Sequence, residues 1–300
     1  MVTPQTEAPE LAKELGLERL YFKREDLNPY GSHKGRSIPV MIDMKRAQGV
    51  KNFAISSSGN AALAAVRHIQ ELNVKGDTIS LSILVGEHIN DTKYQSLKNE
   101  IKDPLIKIEE SPRPLQALSN IVKKENRTSL RQSTSDDALD GYKVLAQEIE
   151  TTPNIAAVFI GTSSGTAAQA LANYFVIKGI PAAVHIVQTT SAHPIASALI
   201  SDTNPAKTDD TEKSLADAIV DKTALRRDAV VEAVSASGGT GWIASNDDIR
   251  TAQTILRDKA GIEATPNGAL GLAGLVHALK NDVARAILSK GSIVCVITGK

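Results

Sequence analysis

The chain has one cysteine, no surplus of charge and few aromatic residues. Cys295 alone excludes an intramolecular disulfide framework and a zinc site built from several cysteines, and its apolar surroundings predict an inert buried thiol. Lys and Arg together number 34, as do Asp and Glu, so no net field attracts a polyanion. With 4 Phe, 5 Tyr and 1 Trp, few rings are present on which unpaired bases could stack. These absences argue against a nucleic-acid partner.

Long hydrophobic runs are also missing. No apolar run approaches the roughly 20 residues that a membrane span needs. The opening MVTPQTEAPE has no basic stretch followed by an apolar core, so we expect no export signal. The sequence therefore predicts a cytoplasmic protein with no membrane partner, and it suggests no metal site.

Short apolar runs alternate with helical patterns along the 300 residues. This alternation predicts right-handed βαβ crossovers and an α/β fold with mostly parallel sheets flanked by helices. The polar stretch 201–213 predicts a surface loop, followed by a helix beginning near Leu215. The predicted strands are 20–23, 52–55, 80–85, 106–108, 156–160, 183–187 and 293–297; the predicted helices include 60–72, 112–123, 142–150, 167–178, 247–260 and 268–279.

The loop GTSSGT at 161–166 follows an apolar strand and opens a helix. Glycines and small hydroxyl residues at such a junction leave several backbone N–H groups aimed at one point, which suits a phosphate. The lysine of a P-loop is missing, and the spacing is not that of a dinucleotide loop. A plain turn with a helix cap remains an alternative.

The same loop matches GxSxG, which would make Ser163 the nucleophile of a hydrolase. Such a serine needs a histidine on a loop. His185 lies in a predicted strand and His277 in a predicted helix, so neither is a good candidate. His193 is the loop candidate, and no oxyanion segment precedes the serine. The hydrolase therefore remains a second hypothesis.

Two further segments carry candidate chemistry. The loop formed by Ser57, Ser58, Gly59 and Asn60 opens another predicted helix and could bind a carboxylate, although an N-cap with a turn explains it as well. Lys34 follows an Asn-Pro turn and begins a helical stretch, where the helix dipole disfavours the ammonium form and favours a nucleophilic amine. A solvated surface lysine is the alternative interpretation.

Four segments in order resemble fold-type II pyridoxal-phosphate enzymes, the threonine synthase-like branch above all. FKREDLNPYGSHKGR at 22–36 is similar to the segment around their Schiff-base lysine, and SSGN at 57–60 to their [ST]-[ST]-G-N loop. GTSSGT resembles their phosphate-binding loop and is closest to the loop sequence of cysteine synthases. ITGK at 297–300 resembles the segment that closes their chain. The similarity covers nearly the whole chain.

The resemblance implies roles for single residues. Lys34 would form the Schiff base with pyridoxal 5'-phosphate and transfer the Cα proton, and Asn60 would bond the phenolic oxygen of the cofactor. Thr298 would meet the pyridine nitrogen, where a hydroxyl does not force protonation. The substrate carboxylate would be held by Ser57, Ser58, Gly59 and Asn60, and the cofactor phosphate by Gly161, Thr162, Ser163, Ser164, Gly165 and Thr166.

One departure from the family bears on the substrate. Where threonine synthases carry an arginine that helps to hold the substrate's own phosphate, this sequence has Ala138, with Asp136 and Asp137 before it. A phosphate dianion would lose a bidentate partner there and meet repulsion. Homoserine phosphate is therefore in doubt as a substrate, and a neutral or cationic amino acid becomes plausible.

The resemblance implies the tryptophan synthase β-like fold, with a smaller lobe at 37–130, a larger lobe formed by 1–36 and 131–300, and the cofactor between them. We expect pyridoxal-phosphate-dependent β- or γ-elimination or replacement on a small L-amino acid, in a homodimer. Serine or threonine dehydratase and cysteine synthase activities are the alternatives within the family. A non-catalytic ligand-binding descendant, or the hydrolase, is the alternative outside it.

Overall fold

The computed structural model describes residues 2–200, 213–219 and 221–300. Contacts divide the chain into a larger unit, Met1–Asn28 with Tyr142–Lys300, and a smaller unit, Pro29–Gly141. Most of the predicted loop at 201–213 lies outside the described residues.

The smaller unit is wider at both ends than the predicted lobe 37–130. Two hydrogen bonds tie its flanks together: Lys34 Nζ donates to Gln132 Oε1 at 2.7 Å, and Ser37 Oγ donates to the carbonyl of Ala138 at 2.8 Å. Both pairs join residues about 100 positions apart in sequence, which a local pattern does not reveal.

Ten strands and twelve helices are formed by the described residues. The strands are β1 Gln5–Glu7, β2 Arg19–Arg24, β3 Asn52–Ser56, β4 Ser80–Gly86, β5 Ile106–Ser111, β6 Thr128–Ser129, β7 Ile155–Gly161, β8 Ala183–Thr189, β9 Gly241–Ala244 and β10 Ser292–Ile297. The helices are α1 Pro9–Leu15, α2 Lys34–Ala47, α3 Asn60–Val74, α4 Asp91–Glu100, α5 Pro114–Lys124, α6 Asp137–Glu150, α7 Thr166–Lys178, α8 Ala196–Leu199, α9 Arg227–Ala236, α10 Asn246–Ala260, α11 Pro266–Ala278 and α12 Asp282–Leu288.

The larger unit contains a six-stranded sheet in the order β1-β2-β10-β7-β8-β9. All neighbouring strands are parallel except β1 and β2. Every residue of β10 is buried, including Cys295, so both faces of this central parallel strand are covered. The continuous apolar runs of the sequence predict this burial.

The smaller unit contains a four-stranded parallel sheet in the order β5-β4-β3-β6. Its core is formed by apolar residues of α2, α3, β3 and β4, with Phe53, Ile69 and Ile83 fully buried. The chain therefore has the predicted α/β architecture with mostly parallel sheets. All seven predicted strands are present, whereas β1, β6 and β9 are too short to stand out in the sequence.

The helix expected near Leu215 is a wrong prediction, because the next helix, α9, begins at Arg227. Backbone N–H groups of this segment bond instead to side chains of distant residues, which hold it in a non-helical conformation. Asn246 Oδ1 accepts from the Leu215 N–H at 2.8 Å, and Asn267 Oδ1 accepts from the Ala218 N–H at 3.0 Å. Among the described helices, none is long and apolar enough to cross a membrane.

Candidate active site

Lys34 is the first residue of α2 and is half-buried. Its backbone N–H donates to Ser32 Oγ at 3.2 Å, and its amine donates to the amide oxygen of Gln132 at 2.7 Å. Gln132 is 7% exposed and lies just beyond β6, the neighbour of β3. The predicted nucleophile is thus a positioned amine at the start of a helix rather than a freely solvated surface group.

The turn before Lys34 is anchored by Tyr30, whose ring is buried against α3. Its hydroxyl donates to Glu71 Oε2 at 3.0 Å and lies 3.1 Å from His68 Nδ1. His68 Nε2 lies 3.0 Å from Asp43 Oδ1. Burial raises the pKa of Tyr30, and the neighbouring Glu71 carboxylate raises it further, so the phenol stays protonated.

The segment 57–60 lies where the sequence predicts, between β3 and α3. The Gly59 N–H donates to Ser57 Oγ at 3.3 Å, and Asn60 is the first residue of α3. A Cβ added at Gly59 would meet open space. Because β3 and β6 are parallel neighbours, this loop and Gln132 occupy the same end of the smaller unit's sheet. The structure therefore places Lys34 and the 57–60 loop at the same end.

The segment 161–166 joins β7 to α7, and its two glycines are required by close packing. Gly165 has φ +80°, and a Cβ there would lie 2.6 Å from a methyl of Val230. A Cβ on Gly161 would lie 2.6 Å from the Cβ of Leu270. The Gly165 N–H donates to Thr162 Oγ1 at 3.0 Å, which fixes the turn. The first amides of α7 have no acceptor inside their own helix, as an anion-binding loop requires.

Gln188 orients this loop and was not expected from the sequence. Its side chain is fully buried at the end of β8 and donates to the carbonyls of Thr162 and Ser163, at 3.4 and 3.1 Å. Its oxygen accepts from the N–H groups of Ile195 and Ala196, both at 2.9 Å. The loop carbonyls are thereby held toward β8. A polar residue ending an apolar strand is the only sequence signal for this role.

An acidic side chain lies against the same loop. Ser163 Oγ donates to Asp221 Oδ2 at 3.0 Å and accepts from the Asp221 N–H at 3.2 Å. Two histidines considered for a hydrolase triad bond elsewhere: His185 to Thr240 and Trp242, and His193 to the Thr189 carbonyl. Ser163 therefore bonds a carboxylate, and these bonds do not supply the histidine base of a GxSxG hydrolase.

Thr298 follows β10, is 6% exposed, and donates through Oγ1 to the carbonyl of Asn267 at 3.2 Å. That carbonyl also lies 3.4 Å from the position of a Cβ on Gly161. Thr298 and the 161–166 loop therefore meet at the first turn of α11, at the carboxyl ends of β10 and β7. The structure describes no cluster of three or more His, Cys, Asp or Glu side chains that could hold a metal ion.

Comparison with known proteins places these sites in context. The profile of a family described as "Pyridoxal-phosphate dependent enzyme" matches residues 1–299. Threonine synthase of Methanosarcina acetivorans is 24% identical over 312 residues, covering 99% of this chain and 74% of that protein. Threonine synthase of Methanocaldococcus jannaschii is 26% identical over 316 residues, with the same coverage of 99% and 74%.

Solved structures share the fold. Maize serine racemase superposes with a TM-score of 0.81 at 17% identity, covering 99% of this chain and 87% of that one. The processed form of threonine deaminase isoform 2 from Solanum lycopersicum gives a TM-score of 0.79 at 18% identity, covering 99% and 83%. At these identities the likeness concerns the fold.

Proposed function

This chain belongs to the family of pyridoxal-phosphate dependent enzymes, and we propose that it catalyses elimination or replacement at the β or γ carbon of a small L-amino acid. The family, the α/β fold and the cofactor predicted from the sequence are confirmed by the profile match and the shared architecture. The roles of single residues and the identity of the substrate are part of the proposal.

The observation that carries the proposal is the contact of Lys34 with Gln132. The Lys34 amine is half-buried and donates a hydrogen bond of 2.7 Å to a neutral amide oxygen, which holds it at the start of α2. Bound pyridoxal phosphate withdraws electrons from the substrate and makes its Cα proton acidic. Lys34 would hold the cofactor covalently, and its freed Nζ would accept the Cα proton and return it as the leaving group departs.

The loop at 161–166 fits the cofactor's phosphate. Ser163 Oγ donates to the Asp221 carboxylate, and a hydroxyl that bonds one anion supports the proposal that the loop holds another. Hydroxyls of Thr162, Ser163, Ser164 and Thr166 and the first amides of α7 would hold the phosphate. Asp221 would have to leave Ser163 for the phosphate to take its place.

The remaining predicted residues would contact either the substrate carboxylate or the pyridine ring of the cofactor. Ser57, Ser58 and the first amides of α3 would hold the substrate carboxylate, and Asn60 would bond the cofactor's phenolic oxygen. The space at Gly59 supports this role, because a Cβ placed there would meet no described residue within 4 Å other than its neighbours along the chain. Thr298 would turn its hydroxyl from the Asn267 carbonyl to the pyridine nitrogen.

The environment of Ala138 favours a substrate without a phosphate of its own. Its side chain is fully buried in the core of the smaller unit, and its carbonyl accepts from Ser37 Oγ at 2.8 Å. Asp137 is paired with Lys45 at 2.8 Å. No cation projects from position 138 to neutralise a phosphate dianion, which favours a serine or threonine dehydratase over a threonine synthase.

A substrate panel tests this proposal. The holoenzyme is offered serine, threonine, O-acetylserine, O-phosphohomoserine and diaminopropionate, and keto acid and ammonia release are measured. We expect turnover of serine or threonine and little of O-phosphohomoserine. Rapid turnover of O-phosphohomoserine alone would establish the threonine synthase reaction instead and contradict the argument from Ala138.

The role of Lys34 is tested separately. Borohydride reduction followed by peptide mapping should find the cofactor on Lys34, and Lys34→Ala should lose both the label and all turnover. The matched control is Lys51→Ala, since Lys51 is exposed just before β3. A label on another lysine would overturn the assignment.

We also propose that the protein acts as a homodimer in the cytoplasm. The family resemblance supports the dimer, and a buried cysteine that remains a free thiol suits the reducing cytoplasm. Sedimentation equilibrium of the holoenzyme and fractionation of cells that express the native chain test the two statements.

A further inference from the structure

A second cavity lies in the larger unit, away from the residues assigned to the cofactor. It has a volume of about 450 Å³ and is bounded by the amino ends of β7, β8 and β9 and by α12. The 161–166 loop follows the opposite, carboxyl end of β7. A volume of this size lies within the range of small-molecule pockets, roughly 300–1,000 Å³.

The described lining residues are mostly apolar, with Thr240, Asn281 and His185 as the polar ones, and none of them is charged. Ala156, Ala183 and Leu288 form part of the wall, and Val283 and Ile287 of α12 stand at its edge with 72% and 63% of their surface exposed. Exposed aliphatic side chains beside an apolar cavity leave hydrocarbon surface in water, which a bound apolar ligand would cover.

One polar group in this wall is defined by its bonds. His185 Nδ1 accepts from the Thr240 N–H and from the Trp242 indole N–H, both at 3.3 Å. Both partners can only donate, so Nδ1 carries no proton and the neutral ring carries its proton on Nε2. The ring stacks on Phe159 at 4.5 Å and is 8% exposed. Nε2 makes no hydrogen bond to any described residue, and His185 is one of the residues that line the cavity.

The ligand must therefore supply an acceptor without a charge. Burial lowers the pKa of His185 to about 4, so the ring stays neutral at physiological pH and cannot balance an anion. A carboxylate in this wall would lose its hydration, and none of the described lining residues is a cation that could compensate. A carbonyl oxygen would accept from Nε2 at no such cost.

We propose that this cavity binds a compact, neutral, apolar compound whose single carbonyl oxygen accepts a hydrogen bond from His185 Nε2. The hydrocarbon body packs between α12 and the strand ends, and the carbonyl fixes its orientation. The inference does not depend on the reaction proposed above.

Trp242 makes the proposal directly measurable. It is the only tryptophan of the chain and lines this cavity. The holoenzyme is titrated with camphor, a ketone, with camphene, a similar hydrocarbon without an acceptor, and with cyclohexanecarboxylate, an anion. We expect a saturable change of emission with camphor and none with the anion. An unresponsive Trp242, or an anion that binds as tightly as camphor, would refute the proposal.

Two variants locate the site. Ala183→Leu fills the cavity and should weaken camphor binding at least tenfold, whereas Ala286→Leu, on the exposed face of α12, should leave it unchanged. In His185→Phe, the preference for camphor over camphene should fall about threefold to tenfold, the effect of one neutral hydrogen bond. Equal preference ratios in wild type and His185→Phe would contradict the role of Nε2.

A further measurement covers the case in which His185→Phe does not fold. Nitrogen-15 NMR of the wild-type holoenzyme should show the Nε2 resonance of His185 shifting on camphor addition but not on camphene addition. The absorption of the bound cofactor should stay constant throughout, since the cavity lies at the other end of β7. A cofactor spectrum that changes in parallel with Trp242 emission would place the ligand at the cofactor instead and overturn the proposal.

Discussion

Lys34 Nζ donates a hydrogen bond of 2.7 Å to the side-chain oxygen of Gln132, a residue 98 positions later in the sequence. Gln132 is buried just beyond β6, which restricts the position of its amide oxygen. A neutral acceptor positions the amine without stabilising its ammonium form as a carboxylate would. This contact therefore bears on how readily Lys34 becomes a nucleophile.

Replacing this neutral acceptor by a charged one should impair Lys34. In Gln132→Glu the carboxylate stabilises the ammonium form, so covalent attachment of the cofactor should need a pH higher by about one unit or more. The measurement is the absorbance of the bound cofactor as a function of pH. Gln132→Met, which has similar volume and no charge, should show no upward displacement. An identical midpoint in wild type and Gln132→Glu would mean that the two side chains do not interact in the holoenzyme.

Removing the negative charge beside the phosphate loop should strengthen cofactor binding. Asp221→Asn keeps a partner for Ser163 but relieves the repulsion of a phosphate, so the dissociation constant of pyridoxal phosphate should fall about threefold to tenfold. Equilibrium dialysis gives this constant. Asp228→Asn, an exposed change in the first turn of α9, is the control and should have little effect. Weaker cofactor binding in Asp221→Asn would show that the carboxylate supports the loop.

Asp248 should contribute pH-dependent stability. The neighbouring His277 ring and the N–H and hydroxyl of Ser245 hold the pKa of this carboxyl well below its usual range. A carboxyl with a depressed pKa in the folded state contributes its full stability above the unfolded pKa, roughly 4, and loses it as the pH falls toward the folded value.

Asp248→Asn should therefore lower the free energy of unfolding by about 1 kcal/mol at pH 7, as loss of a capping interaction at the start of α10 does. The difference from wild type should shrink between pH 5 and pH 3. Urea unfolding at several pH values measures it. Asp247→Asn, at the neighbouring position with 91% of its side chain exposed, should change stability by a few tenths of a kcal/mol at most. A difference that stays constant down to pH 3 would contradict the charge-based explanation.

Cys295 should be unreactive in the folded protein. Burial in β10 raises the pKa of its thiol, and the thiolate is the form that reacts. A disulfide reagent such as Ellman's should modify less than a tenth of the chain during a period in which the urea-unfolded chain reacts completely. Rapid modification of the native holoenzyme would indicate that β10 opens readily.

Local patterns were sufficient for the architecture. Continuous apolar runs such as 156–160 and 293–297 identify buried parallel strands, because a strand covered on both faces must be apolar at every position. Local patterns failed for the short strand β9, which they did not predict, and for the helix near Leu215, which is not formed. The four residues of β9 are too few to show a clear periodicity. The backbone at 215–218 bonds to the side chains of Asn246 and Asn267, which lie about 30 and 50 residues away in sequence.

For the active site, the sequence by itself determined the candidate lysine, the two helix-opening loops and the closing threonine, because each lies in a short motif. Only the tertiary structure decided what surrounds them: Gln132 at Lys34, Gln188 and Asp221 at the phosphate loop, and the neutral tautomer of His185 at the second cavity. These contacts depend on which strands are neighbours in a sheet. Strand order is a property of long-range packing, and no local spacing of residues encodes it.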